Sequence, residues 1–236
     1  MKTIGIIGGI TWQSSIDYYR LLNEMVSEKT NGEATAKVIL YSLDFGVVRT
    51  LTQADRWDKL VTIACDVAVK LENAGADCIV IGANTMHKIA DEIQSAVNIP
   101  IIHIAEVTSN AIAEQHLKTV ALLGTKYTMQ LDFFKQILAK QNISTIIPLK
   151  EEDVEYLNYS IYNVMGKGIF TNEIKQRVLS MIDELIQRGA QGVILGCTEL
   201  PILIKQDDCS VPIFDTVLLH AKAAVEFAFE SETMND

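Results

Sequence analysis

The chain has 236 residues, a net charge of −10 and a pI near 4.9, which disfavours a nucleic-acid or anionic-membrane surface. Hydrophobic residues make up 49% and charged residues 21%, the balance of an ordinary globular protein, and no run approaches the ~18 apolar residues of a membrane-spanning helix. Cys65, Cys78, Cys197 and Cys209 show neither CxxC nor metal-ligand spacing. With no export signal at the N-terminus, they are expected as free thiols in a reducing cytoplasm, with no metal bound.

Short β-branched runs alternate with longer amphipathic ones along the chain. Strands are predicted at "KTIGIIGG" (2–9), "KVILYSLDF" (37–45), "DCIVIGAN" (77–84), "PIIHI" (100–104), "TVALLGT" (119–125), "GVILGCT" (192–198) and "PIFD" (212–215). Helices are predicted between them, among others at 17–29, 57–75 and 171–189, with Gly75 and Gly189 at the positions of helix-ending glycines. Continuously apolar strands imply burial on both faces, hence a parallel sheet covered by helices. The final "ESETMND" reads as a frayed tail.

The chain also repeats itself. "GADCIVIGANTMHK" (75–88) returns as "GAQGVILGCTELP" (189–201) at an offset of 114, "KTIGIIGG" returns as "KTVALLGT" (118–125) at 116, and "NIPIIH" (98–103) returns as "SVPIFD" (210–215). Three matches in one order predict a duplicated α/β core. The expectation is two pseudo-symmetric domains, each a parallel sheet flanked by helices, residues 1–105 with 211–236 and residues 106–210, with an active site in the cleft between them. In this register Cys197 corresponds to Ala83.

In open parallel sheets, ligands bind beyond the carboxyl ends of the strands. Those ends carry Gly8, Gly9, Ile10, Thr11 and Trp12, then Ser42 and Asp44, then Ala83, Asn84 and Thr85, then Thr125 and Thr128, and finally Cys197, Thr198 and Glu199. "GIIGG" lacks the G-x-G-x-x-G spacing of a dinucleotide turn and "LLGTKYTM" lacks the ending of a P-loop, so no nucleotide cofactor is expected. A close backbone turn around a small anion suits the first. Cys197 reads either as a small buried filler or as a thiolate favoured by backbone N–H groups. Asn84 and Thr85 read as helix caps or as holders of a substrate carboxylate, two uses of the same donors. His87, His103 and His220 read as structural.

"GIIGGITWQSSIDYYR", "ANTMHK", "LLGTKYTM", "GVILGCTELP" and "VPIFDTVLLHA" together resemble the aspartate/glutamate racemase family, over most of the chain and in the family's order. "CTE", and the lack of an Asp-Ser-Gly start, point to its aspartate or broad-specificity branch. The resemblance implies a homodimeric, cofactor-independent amino-acid racemase with two cysteines on opposite faces of the substrate Cα. It places Asn84, Thr85, Thr128 and Thr198 on the substrate's carboxylate and ammonium, and Cys197 as one base. The other family cysteine falls at Ala83, which carries no proton. Arg49 lies in the loop that holds a side-chain carboxylate ligand, Gln53 is a neutral option nearby, Lys167 sits close to a family lysine, and Glu199 either polarises Cys197, orients the ammonium or caps its turn. The implied substrate is an Asp- or Glu-like amino acid, with proton transfer weakened or one-sided. A single-cysteine, decarboxylase-like enzyme and a non-catalytic amino-acid-binding protein are the alternatives.

Overall fold

A computed structural model describes residues 1–230; of the tail read as frayed, all but Glu230 lies outside the described residues. The described residues divide into two units, one of residues 1–82, 89–103 and 220–230, the other of residues 83–88 and 104–219.

The first unit runs β1 (Ile4–Gly8), α1 (Trp12–Lys29), β2 (Val38–Ser42), α2 (Phe45–Gln53), α3 (Trp57–Asn73), β3 (Cys78–Ile81), α4 (Ala90–Gln94) and β4 (Ile101–Ile102). Its strands form one parallel sheet in the order β2-β1-β3-β4. β1 and β3 are buried at every residue, as unbroken apolar strands in the middle of a covered sheet must be. β2 departs from the expectation of full burial: it is an edge strand, and Leu40, Tyr41 and Ser42 are exposed. Gly75 follows α3 with φ +93°, the left-handed conformation that closes a helix with least strain in glycine.

The second unit runs α5 (Ile104–Glu114), β5 (Thr119–Gly124), α6 (Lys126–Gln130), α7 (Asp132–Lys140), β6 (Ser144–Ile146), α8 (Glu151–Asn163), α9 (Asn172–Gln187), β7 (Val193–Gly196), α10 (Leu200–Leu203), β8 (Ile213–Asp215) and the start of α11 (Thr216–Phe229). Its parallel sheet has the order β6-β5-β7-β8, which is the first sheet's order repeated. Along β5, Val120 and Leu122 pack into one apolar cluster and Ala121 and Leu123 into another; on β7, Ile194 joins the first and Val193 and Leu195 the second. Alternate residues therefore feed cores on both faces, as a helix-covered parallel sheet requires.

Three segments, 83–88, 104–105 and 211–219, fall in the other unit from the one read in the sequence. β8 pairs with β7, so residues 211–219 belong to the second unit rather than the first. Residues 83–88 also belong to the second unit, because the side chains of Asn84, Thr85 and His87 bond to partners there. No helix among the described residues is long and apolar enough to cross a membrane.

Candidate active site

Within the second unit, the strand-end residues converge. β5 ends at Gly124, in register with Gly196 at the end of β7. A Cβ on Gly124 would stand 2.7 Å from the Gly196 carbonyl oxygen, and a Cβ on Gly196 would stand 3.2 Å from Thr128 Cγ2. The two glycines let the strands and Thr128 pack closer than any side chain would allow. Beyond β5, Thr125 caps α6: its hydroxyl accepts from Thr128 N–H at 3.2 Å. That cap turns Thr128 inward, where it is fully buried.

Thr85 completes a triangle of hydroxyls. Its Oγ1 lies 2.8 Å from Thr125 Oγ1 and 3.2 Å from Thr128 Oγ1, which are themselves 3.1 Å apart. Its side chain is thus engaged across the site rather than in capping, and residues Thr85–Ile89 form a 3₁₀ turn. Three hydroxyls bring three protons, and an oxyanion among them can collect all three. Tyr162, on α8, hydrogen-bonds Thr85; burial, with the nearby Cys197, Tyr127 and Glu199, pushes its phenol above the usual tyrosine range. The Thr85 hydroxyl acts in the opposite direction but is outweighed.

Cys197 follows β7 directly and is 7% exposed. Its thiol donates to Glu199 Oε2, which also accepts from Thr198 Oγ1 at 2.8 Å. Burial raises the thiol well above the ordinary cysteine range, and the Glu199 carboxylate raises it further; the N–H groups of Glu199 and Thr198 act in the opposite direction but are outweighed. Cys197 is thus a buried thiol bonded to a carboxylate, and the backbone N–H groups that would favour a thiolate are the weaker influence. Glu199 is itself buried and makes no side-chain cap on α10; its carboxylate meets Cys197 and Thr198 instead.

His87 fixes the peptide of position 83. Ile104 N–H donates to its Nε2 at 3.2 Å, so the ring proton sits on Nδ1, 2.9 Å from the Ala83 carbonyl to which it donates. Ala83 itself is partly buried and offers only a methyl group. Asn84 Nδ2 donates to Thr216 Oγ1 at 3.0 Å, while Asn84 Oδ1 is buried with no hydrogen-bond partner.

The sequence candidates Ala83, Asn84, Thr85, Thr125, Thr128, Cys197, Thr198 and Glu199 all lie in this unit. Lys167 is in it too, exposed on the 3₁₀ turn Met165–Lys167. Gly9, Ile10, Trp12, Arg49 and Gln53 belong to the first unit. Gly9 has φ +77°, and a Cβ there would lie 2.1 Å from the Leu43 carbonyl oxygen, so the close backbone turn is imposed by the chain's own next strand end, with no need of an anion. Trp12 opens α1 at 63% exposure. Arg49 and Gln53 sit four residues apart on α2, the first partly buried and the second exposed. Three participants escaped the sequence reading: Tyr162, Thr216 and the His87 contact. Tyr162 lies on a helix with three acidic residues in its first turn, which reads as an ordinary amphipathic surface helix. Thr216 could have been noticed as the polar residue just past the last strand.

The family model for Asp/Glu/Hydantoin racemases matches residues 7–224. The broad specificity amino-acid racemase RacX of Bacillus subtilis is 30% identical over 168 residues, 71% of this chain and 72% of that one. A crystal structure of an Asp/Glu racemase-type protein from Yersinia pestis is 39% identical, covers 98% of this chain and 100% of its own, and superposes with a TM-score of 0.90. An aspartate racemase homologue from Pyrococcus horikoshii OT3 is 35% identical over 98% of this chain and 100% of its own, with a TM-score of 0.84.

Proposed function

The chain belongs to the Asp/Glu/Hydantoin racemase family, and from that membership and the geometry around Cys197 we propose that it is a cofactor-independent racemase-type enzyme acting at the Cα–H of an acidic amino acid. Its relatives are named amino-acid racemases, which are isomerases. The observation that carries the reading is the buried Cys197–Glu199 pair in the same unit as a cluster of hydroxyl donors and one unpartnered amide oxygen.

An amino-acid Cα–H is a very weak acid, and without a carbonyl cofactor the carbanion must be stabilised by groups already in place. The substrate α-carboxylate accepts hydrogen bonds from the hydroxyls of Thr85, Thr125 and Thr128, which draws charge away from Cα as the proton leaves. Glu199 takes the thiol proton of Cys197, and the thiolate so formed takes the α-proton. Reversal of the two steps returns a proton to the same face. Ala83, at the counterpart of Cys197 in the repeat, brings no acid to the opposite face, so inversion there depends on water and is slow. The compartment proposed is a reducing cytoplasm, and by resemblance the assembly is a homodimer.

The resting thiol form of Cys197 also favours a second reading, protonation of a carbanion left by decarboxylation. The test is proton NMR of L- and D-Asp and Glu in D₂O, with Cys197→Ser as the control. Loss of the α-proton signal that depends on Cys197 supports the racemase reading, with inversion and retention separated by polarimetry. No exchange with any of the four sinks it, and turnover of an α-substituted malonate would then identify the decarboxylase.

A further inference from the structure

Thr216 is the first residue of α11 and is fully buried. β8 ends at Asp215, in register with Leu195 of β7, and that register brings the Thr216 hydroxyl to the Leu195 carbonyl, to which it donates at 2.9 Å. The helix start is capped by its neighbour: Asp215 Oδ1 accepts from the N–H groups of Val217 and Leu218 at 3.0 and 3.1 Å. The Thr216 side chain is thereby spared for the interior.

A hydroxyl has one proton. Because that of Thr216 goes to Leu195, the oxygen can only accept, and the group facing it must be a donor. Asn84 therefore turns its NH₂ toward Thr216, at 3.0 Å, and its carbonyl the other way. The opposite amide orientation would set two acceptors against each other. The consequence is visible at Oδ1, a buried acceptor with no donor in the structure, on a side chain that is only 4% exposed.

We propose that Thr216 is a positioning residue that fixes the polarity of the Asn84 carboxamide, presenting its oxygen as the acceptor for a substrate ammonium group. This rests on the amino-acid racemase reading above. It adds a directional rule: a carboxylate is repelled at Asn84 Oδ1 and held at the hydroxyl triangle, whereas an ammonium is held at Asn84. The orientation of the substrate backbone is set by the single proton of a residue that does not touch it.

The experiment compares Thr216→Val and Thr216→Ala with Thr216→Ser. Calorimetry measures binding of L-aspartate and of succinate, which has the same two carboxylates and no ammonium. The Asn84 carboxamide protons are followed in parallel by ¹⁵N-resolved hydrogen exchange, assigned by their disappearance in Asn84→Asp. The valine and alanine variants should weaken aspartate roughly tenfold, the scale of one charge-assisted hydrogen bond, and change succinate by less than about twofold. The serine variant should restore aspartate binding. In the wild type one Asn84 carboxamide proton should exchange slowly, as it should in the serine variant, and quickly in the other two. Equal weakening of both ligands, no weakening of either, or fast exchange of both carboxamide protons in the wild type overturns the proposal. A wild type with the slow proton that binds no amino acid instead removes the racemase reading and leaves no ammonium for Thr216 to select, which also ends the proposal.

Discussion

Cys197 donates its thiol proton to the carboxylate of Glu199, two residues further along the same loop. The pair couples an acid to its own proton acceptor before any substrate arrives. In Glu199→Gln the charge is lost while an acceptor oxygen remains, so the cause that ranks second in raising the thiol disappears. The thiol should then titrate lower, read as thiolate absorbance against pH. Substrate α-proton exchange should nevertheless fall, by roughly 10²-fold, since nothing is left to take the thiol proton. Unchanged exchange would remove Glu199 from the proton path.

Ala83→Cys tests whether the second proton-transfer position is empty by composition alone. The new thiol should convert exchange with retention into exchange with inversion, with a gain of roughly 10²–10⁴-fold in racemisation, the range of one positioned acid or base. Circular dichroism of aspartate turnover would follow it. A variant that folds and binds aspartate but racemises no faster would show that position 83 does not face the α-carbon.

His220 gives a pH-dependent stability with a definite sign. It is fully buried, with Tyr18 Oη at 2.7 Å from Nδ1 and its Nε2 proton donated to the Ile102 carbonyl. Burial lowers it from 6.5 to about 4, against the raising effect of the Ile102 carbonyl. Between those two values the unfolded chain binds a proton that the folded chain refuses, so stability is complete above about pH 6.5 and falls as pH drops toward 4. The loss amounts to about 3 kcal/mol. Urea midpoints measured from pH 7 to 4 should show this slope, and His220→Gln should flatten it.

Cys78 is the built-in negative control for thiol chemistry. Burial in β3, with a smaller contribution from Asp77, pushes it up to about 12. Iodoacetamide at pH 8 should label the partly buried Cys65 and Cys209 and leave Cys78 untouched until the protein unfolds. Early labelling of Cys78 would mean that the first sheet opens locally.

Gly124→Ala probes the floor under the hydroxyl triangle. The added methyl would sit 2.7 Å from the Gly196 carbonyl and 3.3 Å from Thr128 Cβ. Overpacking of this kind costs about 1–3 kcal/mol, a fall of several degrees in melting temperature for a chain of this size. Aspartate affinity should drop with it, because Thr128 must move.

The duplicated architecture was legible in the chain itself. The "GADCIVIGAN" and "GAQGVILGCT" pair lies on strands at equivalent places in two sheets of identical order, because buried parallel strands and their helix-ending glycines leave strong, local marks. β6, at the edge of the second sheet, escaped notice since three residues, "STI", show no periodicity. Thr85 and Thr128 were recognisable by resemblance and Thr125 by its place at a strand end, but their meeting as a triangle was not, since 40 residues separate Thr85 from Thr125. The polarity of Asn84 could not be read at all. It follows from which carbonyl a distant threonine happens to reach.

At the repeat's offset of 114 residues, Glu199 corresponds to Thr85 and Thr198 to Asn84, so the two strand ends differ by more than one thiol. A cysteine restored at 83 would be followed by Asn84 and Thr85 and would lack the adjacent carboxylate that keeps Cys197 protonated. One sulfur would begin each cycle nearer to the thiolate and the other as the thiol. Enantiomers have equal free energies, so the equilibrium between them stays at unity whatever the catalyst. The imbalance would therefore emerge kinetically, as unequal kcat values for the L and D directions matched by KM values unequal in the same proportion.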